Sequence, residues 1–206
     1  MNRNNTIRED TSERHKNKYY NKNFIHQYTL GSFFDKIAAE VKFINPNNAL
    51  EFGCGEGLFL EELKKRDVII NDLTGIDLRK DAIEYAQKLH SEYYFECIDI
   101  FDFNPDKKFE LVIASQVLEH LLNPPSFLTK LACLSSHYLL LTVPWEPWFQ
   151  IMNLLRGRDI LRLGNHPEHV NRWNKNEFCS LILRFADIKH TILSFPFIII
   201  VAEVRN

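Results

Sequence analysis

The sequence lacks the features of secreted, zinc-binding and membrane-spanning proteins. Its 206 residues include only four cysteines, which are widely spaced and form no C-x-x-C pair. This spacing favours reduced thiols in a cytoplasmic protein over a disulfide framework or a zinc site. The N-terminus is too polar for a signal peptide, and no apolar run approaches the ~18 residues of a membrane span.

The sequence also has no large excess of charge. The net charge is −2 and the pI about 6.4, so no basic field predicts a nucleic-acid partner. The length suits one well-buried α/β domain and is too short for two. Residues 1–18 are polar with almost nothing to bury, which predicts a disordered tail ahead of a single domain over residues 19–206.

Glycine is scarce, and three of the seven glycines stand at alternate positions in one stretch, as Gly53, Gly55 and Gly57. An apolar lead-in ends just before them, and Leu58 opens a helical pattern just after. The stretch therefore predicts a strand, a tight turn and a helix N-terminus. Glycine permits positive φ and the close approach of a ligand to the backbone, and the helix start offers unpaired N–H groups.

Two classes of ligand suit such a turn. A dinucleotide site has the spacing G-x-G-x-x-G, whereas here the third glycine comes one residue early, and carboxylates stand at Glu51 and Glu56. A carboxylate about 4 Å from a pyrophosphate would cost roughly 1–4 kcal/mol, depending on the local dielectric. The same carboxylate would stabilise an ammonium group, so a ligand with an amino-acid end and a nucleoside end fits better.

The stretch resembles the first motif of the class I S-adenosylmethionine-dependent methyltransferases, (D/E)-x-G-x-G-x-G, through Glu51, Gly53, Gly55 and Gly57. The resemblance extends over about residues 45–145. It implies a Rossmann-like α/β fold with a seven-stranded, mostly parallel sheet, an antiparallel last strand and helices on both faces. It also implies S-adenosylmethionine as cofactor and S-adenosylhomocysteine as product, with Cys54 inside the binding turn.

Two further acidic residues follow predicted strands. Asp77 lies 20 residues after Gly57, where such folds place a carboxylate that accepts hydrogen bonds from the ribose hydroxyls, with Leu78 beside it. The alternative for Asp77 is an N-cap of the helix predicted over Lys80–His90. The resemblance implies that Asp99 reaches the adenine amine and that Ile100 packs on the ring. The alternative for Asp99 is a solvent-facing residue in a turn.

The fourth predicted strand, Phe109–Ala114, ends at Ser115 and Gln116. Ligands of open α/β sheets lie beyond the carboxyl ends of the strands, so this pair should border the methyl donor. The run E-H-L-x-x-P over residues 119–124 resembles the branch that includes quinone-biosynthesis and other small-molecule methyltransferases.

Histidines at three positions, His120, His166 and His169, are the candidates for a general base. The stretch around His120 is shared by enzymes with quite different substrates, which favours a positioning role for that residue. The pair His166 and His169 offers too few ligands at the wrong spacing for a metal, so no metal site is predicted.

Residues 145–173 form an insert between the fifth strand and the helix predicted over Asn174–Phe185. The insert carries the candidate substrate-binding residues Trp145, Trp148, Arg158 and Arg162, and we expect it to cover the acceptor as a lid. A peripheral membrane contact, a dimer contact and a simple cover for the sheet edge are the alternatives.

The predicted function is methyl transfer from S-adenosylmethionine to a small-molecule or lipid-linked acceptor. One alternative is a non-catalytic S-adenosylmethionine-binding module. A nicotinamide-dependent oxidoreductase is disfavoured by the glycine spacing and by Glu51. The acceptor and the oligomeric state are left open by the sequence.

Overall fold

The computed structural model describes residues 24–155 and 169–205, with side chains described for 27–151 and 169–205. The tail predicted to be disordered, residues 1–18, lies outside these ranges. So do three of the candidate residues of the insert, His166, Arg158 and Arg162.

Seven strands form one sheet within the described residues, in the order β3-β2-β1-β4-β5-β7-β6. β1 pairs in parallel with β2 and β4, and β4 pairs in parallel with β5, while β7 is antiparallel to both β5 and β6. This arrangement confirms the predicted fold, including the antiparallel last strand. The strands are β1 Asn48–Phe52, β2 Asp72–Asp77, β3 Tyr94–Cys97, β4 Phe109–Ser115, β5 Ser135–Pro144, β6 Ala186–Ser194 and β7 Phe197–Val204.

Helices cover both faces of the sheet, because neighbouring strand residues point to opposite faces and both sets are apolar. Leu50 packs in one core with α4 and α6, and Ala49 packs in the other with α1, α2 and α3. Among the described residues, no helix combines the length and apolar character that a bilayer crossing requires. The helices are α1 Phe24–Ile44, α2 Leu58–Lys64, α3 Lys80–Leu89, α4 Pro124–Leu134, α5 Trp148–Leu155 and α6 Lys175–Ile182.

The C-terminal boundaries differ from the prediction. The helix predicted to reach Phe185 ends at Ile182, because the chain tightens there and the Phe185 N–H donates to the Ile182 carbonyl only three residues back. The strand that follows this helix, β6, begins at Ala186. Polar residues alternate along its first half, and this half-exposed stretch lacks the continuous apolar run by which the buried strands were identified.

Parallel pairing brings the carboxyl ends of β1, β2, β4 and β5 to one edge of the sheet. The glycine turn, Asp77, Ser115 and Trp145 follow those strands and therefore lie along the same edge.

Gly75, in the middle of β2, allows β2, β3 and the glycine turn to approach closely. A Cβ at this position would lie 2.5 Å from the Phe95 ring and 3.0 Å from the Cys54 sulfur. We expect Gly75→Ala to lower the free energy of unfolding by about 1–3 kcal/mol, the usual cost of overpacking, in urea denaturation. Gly31→Ala is the matched control, because a Cβ there meets nothing within 4 Å. Equal stability of the two variants would contradict this role of Gly75.

Candidate functional site

The three glycines of the turn all have positive φ, 70° at Gly53, 54° at Gly55 and 76° at Gly57. The turn is bonded to the end of β2, since the N–H groups of Gly53 and Cys54 donate to the Ile76 carbonyl at 2.8 and 3.2 Å. L-residues with a side chain rarely adopt this conformation, so the glycine spacing read from the sequence corresponds to a backbone requirement.

Asp77 links the turn to the residues that follow β2. Its Oδ2 accepts a hydrogen bond from the Gly55 N–H at 2.9 Å, and its Oδ1 accepts one from the Arg79 N–H at 2.8 Å. The N-cap of α3 is Arg79, so the alternative role of Asp77 as that N-cap is wrong. Each carboxylate oxygen retains lone pairs for additional donors, such as a pair of vicinal hydroxyls.

Glu51 lies in β1 directly below the turn and is only 2% exposed. Its Oε2 is buried without a hydrogen-bond partner among the described residues. Burial, with a smaller contribution from the negative charge of Asp77, raises the pKa of Glu51 to about 8. Buried carboxylate oxygens normally have a partner, so Glu51 is a candidate to bind a donor group of a ligand.

The second acidic residue of the motif, Glu56, is also buried, but it has a partner. The Arg79 guanidinium nitrogens lie 3.4 Å from each of its carboxylate oxygens. Burial raises the pKa of the neighbouring Cys54 thiol, and the charges of Glu51 and Asp77 raise it further. Cys54 is therefore an inert packing residue in the turn.

The residues predicted to bind adenine follow β3. Asp99 is partly buried, and its Oδ1 accepts a hydrogen bond from the Phe101 N–H at 2.9 Å. Ile100 packs in the core and is 2% exposed, whereas Leu78 is 64% exposed beside the turn. The adenine-binding roles of these residues stay predictions, and the large exposed side chain of Phe101 joins them as a candidate.

Ser115 and Gln116, at the end of β4, are organised by a residue that the sequence prediction missed, Thr142 of β5. The buried Thr142 Oγ1 lies 3.1 Å from the Gln116 side-chain nitrogen, 3.2 Å from the Gln116 N–H and 3.0 Å from Ser115 Oγ. The Gln116 N–H also lies 3.0 Å from the Thr142 carbonyl oxygen, and in the Ser115–Thr142 pair either hydroxyl can donate. Thr142 thus fixes both residues at the end of β4. The only sequence signal was a polar residue inside an apolar strand.

His120 ends a short 3₁₀ turn, Leu118–His120, after β4. The buried Glu119 carboxylate lies 3.9 Å from His120 Nε2, and the rings of His120 and His169 are 5.1 Å apart between centroids. The candidate ligand atoms of Glu119, His120 and His169 all lie within 4.8 Å of one another. Two of the three candidate bases, His120 and His169, therefore lie close together. The prediction that the site binds no metal stays a prediction.

The described part of the insert lies beside these residues. The N–H groups of Val170 and Asn171 donate to the Glu119 carbonyl at 2.8 and 3.0 Å. The centroid of the Trp148 ring lies 6.2 Å from the ring centroids of both Trp145 and Phe195. Trp148 is 43% exposed. The insert thus places an exposed aromatic surface near the end of β5.

Comparison with solved structures shows the same fold. The magnesium protoporphyrin IX methyltransferase of Synechocystis PCC 6803, solved with S-adenosylhomocysteine, is 16% identical at a TM-score of 0.71, over 95% of this chain and 94% of that chain. A plantazolicin methyltransferase, solved with S-adenosylhomocysteine and a substrate analogue, is 17% identical at a TM-score of 0.73, over 96% and 91%.

Two curated relatives are ubiquinone biosynthesis O-methyltransferases. That of Bradyrhizobium diazoefficiens is 24% identical over 69% of this chain and 57% of its own length, and that of Rhodopseudomonas palustris is 28% identical over 49% and 40%. The chain thus matches about half the length of these relatives. The family model for the methyltransferase domain matches residues 22–185, and the chain therefore belongs to this family, the S-adenosylmethionine-dependent methyltransferases of class I fold.

Proposed function

We propose that the protein transfers a methyl group from S-adenosylmethionine to an oxygen of a small, apolar acceptor. The observation that carries this proposal is the buried Glu51 carboxyl, which has no hydrogen-bond partner among the described residues and lies below a left-handed glycine turn. S-Adenosylmethionine supplies a methyl group on a positively charged sulfur with a neutral thioether as leaving group.

The residues of the site fit this cofactor at two separated points. Glu51 accepts the ammonium of the amino-acid end, which gives its buried oxygen the donor that it lacks. Asp77, already fixed by two backbone N–H groups, accepts the ribose hydroxyls with its remaining lone pairs. A nicotinamide dinucleotide would place its pyrophosphate against the turn near the Asp77 carboxylate, where a further negative charge is unfavourable, and would bring no cationic group to Glu51.

The acceptor side is formed by β4, β5 and the insert. The curated relatives are named as O-methyltransferases, which favours an oxygen acceptor. The apolar side chains Trp148, Ile151 and Phe195 are each roughly two-fifths exposed near the end of β5, which favours an apolar acceptor. Trp145 and Trp148 contact it in this proposal, and Arg158 and Arg162 are retained as substrate-binding residues.

A hydroxyl acceptor must lose its proton when the methyl group arrives, and in this proposal His120 takes it. The Glu119 carboxylate, 3.9 Å from His120 Nε2, stabilises the imidazolium that forms. His169 packs against the His120 ring and limits its movement. Ser115, hydrogen-bonded to Thr142, orients the acceptor or the cofactor at the end of β4.

The cofactor assignment predicts that S-adenosylhomocysteine binds and that NAD does not, as measured by calorimetry. Asp77→Ala should lose about 1.5–3 kcal/mol of this binding, the range for hydrogen bonds to a charged group. Asp81→Ala, in the exposed first turn of α3, is the control and should bind as the wild type does. NAD binding without S-adenosylhomocysteine binding would instead support the oxidoreductase alternative.

The raised pKa of Glu51 predicts that cofactor binding releases a proton. At pH 7 the ligand-free carboxyl is mostly protonated, because its pKa lies near 8, and an ammonium beside it lowers that pKa. Calorimetry of S-adenosylhomocysteine binding in buffers of different ionisation enthalpy should therefore detect a release of about one proton. Glu51→Gln should abolish this proton release. Glu84→Gln, which changes an exposed carboxyl of α3, is the control and should retain it.

The same shift predicts how stability depends on pH without ligand. A carboxyl whose pKa is higher in the folded state favours folding at low pH, so its contribution is lost as the pH rises from about 5 to 8. Glu51→Gln should flatten the fall in unfolding free energy over that window. The same dependence of unfolding free energy on pH in Glu51→Gln and in the wild type would contradict a neutral Glu51 in the ligand-free site. So would S-adenosylhomocysteine binding to the wild type without proton release.

The proposed base predicts that His120→Asn lowers kcat by roughly a hundredfold or more while S-adenosylhomocysteine affinity stays unchanged. The assay is methyl transfer to phenols and catechols, with and without a prenyl chain, followed by mass spectrometry of the product. His137→Asn, exposed at the start of β5, is the control. A loss below about tenfold would assign His120 the positioning role, and methylation of none of these acceptors would contradict the proposed acceptor class.

A further inference from the structure

We propose that His90 is a positioning residue for the cofactor site, which holds the third glycine of the turn through its neutral imidazole ring. His90 was not a candidate in the sequence, where it ends a predicted helix. In the structure it is the C-cap of α3 and is only 1% exposed. The inference rests on the proposed function, because it concerns the geometry of that site.

The His90 ring lies directly beneath Gly57. Its Nε2 is 3.0 Å from the Gly57 carbonyl oxygen, and a Cβ added to Gly57 would lie 2.9 Å from His90 Cδ2. The same carbonyl also accepts the Glu61 N–H at 3.1 Å, the first hydrogen bond of α2. The ring therefore holds the residue at which the left-handed turn becomes a helix.

Lys64 determines which ring nitrogen carries the proton. The Lys64 ammonium lies 3.1 Å from His90 Nδ1, and an ammonium can only donate, so Nδ1 is an acceptor. The proton of the neutral ring is then on Nε2, where it is donated to the Gly57 carbonyl. Lys64 is itself paired with the Glu92 carboxylate. This chain of contacts connects α2, the end of α3 and the turn.

Protonation of His90 would break this arrangement. A second ring proton, on Nδ1, would point at the Lys64 ammonium and replace a hydrogen bond with repulsion between like charges. Burial lowers the pKa of His90 and Lys64 lowers it further, while the Gly57 carbonyl and the carboxylates of Glu61 and Glu92 oppose the shift. The neutral ring is therefore the form that supports the turn at neutral pH, and acidification removes that support.

The first test measures S-adenosylhomocysteine affinity by calorimetry at pH 7.5. His90→Leu keeps the apolar volume and loses the donor, so we expect binding about fivefold to tenfold weaker, as for one lost hydrogen bond. His90→Gln, which retains a side-chain N–H donor, should recover most of the affinity. Phe178→Leu is the control for stability alone, because Phe178 is fully buried on the opposite face of the sheet.

The results separate the two proposals. Wild-type affinity in His90→Leu, with a loss of melting temperature like that of Phe178→Leu, would overturn the positioning role and leave the proposed function intact. A wild-type protein that binds no S-adenosylhomocysteine would overturn the proposed function and this inference together.

The second test observes the ring itself by nitrogen-15 NMR of labelled histidine. We expect His90 to remain neutral with an unprotonated Nδ1 at pH 6.5. In Lys64→Met, which removes the opposing charge, the ring should become protonated at a higher pH than in the wild type. A charged ring, or a proton on Nδ1 in the wild type at pH 6.5, would overturn the assignment.

Discussion

The site depends on one carboxylate that bonds to two backbone segments. Asp77 accepts the Gly55 N–H on one oxygen and the Arg79 N–H on the other. These bonds fix the glycine turn after β1 to the chain after β2, so two neighbouring strand ends form a single rigid edge. A ligand that spans both segments then meets groups whose positions are already set, which reduces the entropy lost on binding. His90 completes the support by holding the other end of the turn at Gly57.

The charges of the site show why two acidic residues close in sequence have different roles. Glu56 faces the Arg79 guanidinium, so its negative charge is balanced within the protein. Glu51 has no such partner among the residues that the structure describes, and the nearby negative charge of Asp77 adds to the cost of ionising it. In the proposed complex, the ammonium group of the cofactor compensates the charge of an ionised Glu51 and leaves the Glu56–Arg79 pair undisturbed.

The sequence predicted the parts of this site that depend on local spacing. The glycines and Glu51 form a contiguous motif, and Asp77 follows at a distance set by one helix and one strand, so pattern and position sufficed. Thr142 and His90 were missed because their roles arise from contacts between distant parts of the chain. Nothing in the sequence indicates that Thr142 pairs with Ser115, or that His90, the C-cap of α3, reaches the carbonyl of Gly57. Such contacts depend on strand register and on which face of a helix meets the sheet.

Several features of this edge oppose the stability of the ligand-free fold. Glu51 is buried without a hydrogen-bond partner among the described residues, and Gln116 adopts a positive φ of 58° without being glycine. Backbone conformations like that of Gln116 cost about 1–3 kcal/mol and persist only where surrounding contacts fix them. Thr142 supplies those contacts for Gln116. A cationic ligand group lowers the free-energy cost of ionising the buried Glu51 carboxyl. The feature that destabilises the ligand-free site therefore also makes the site selective for a cation.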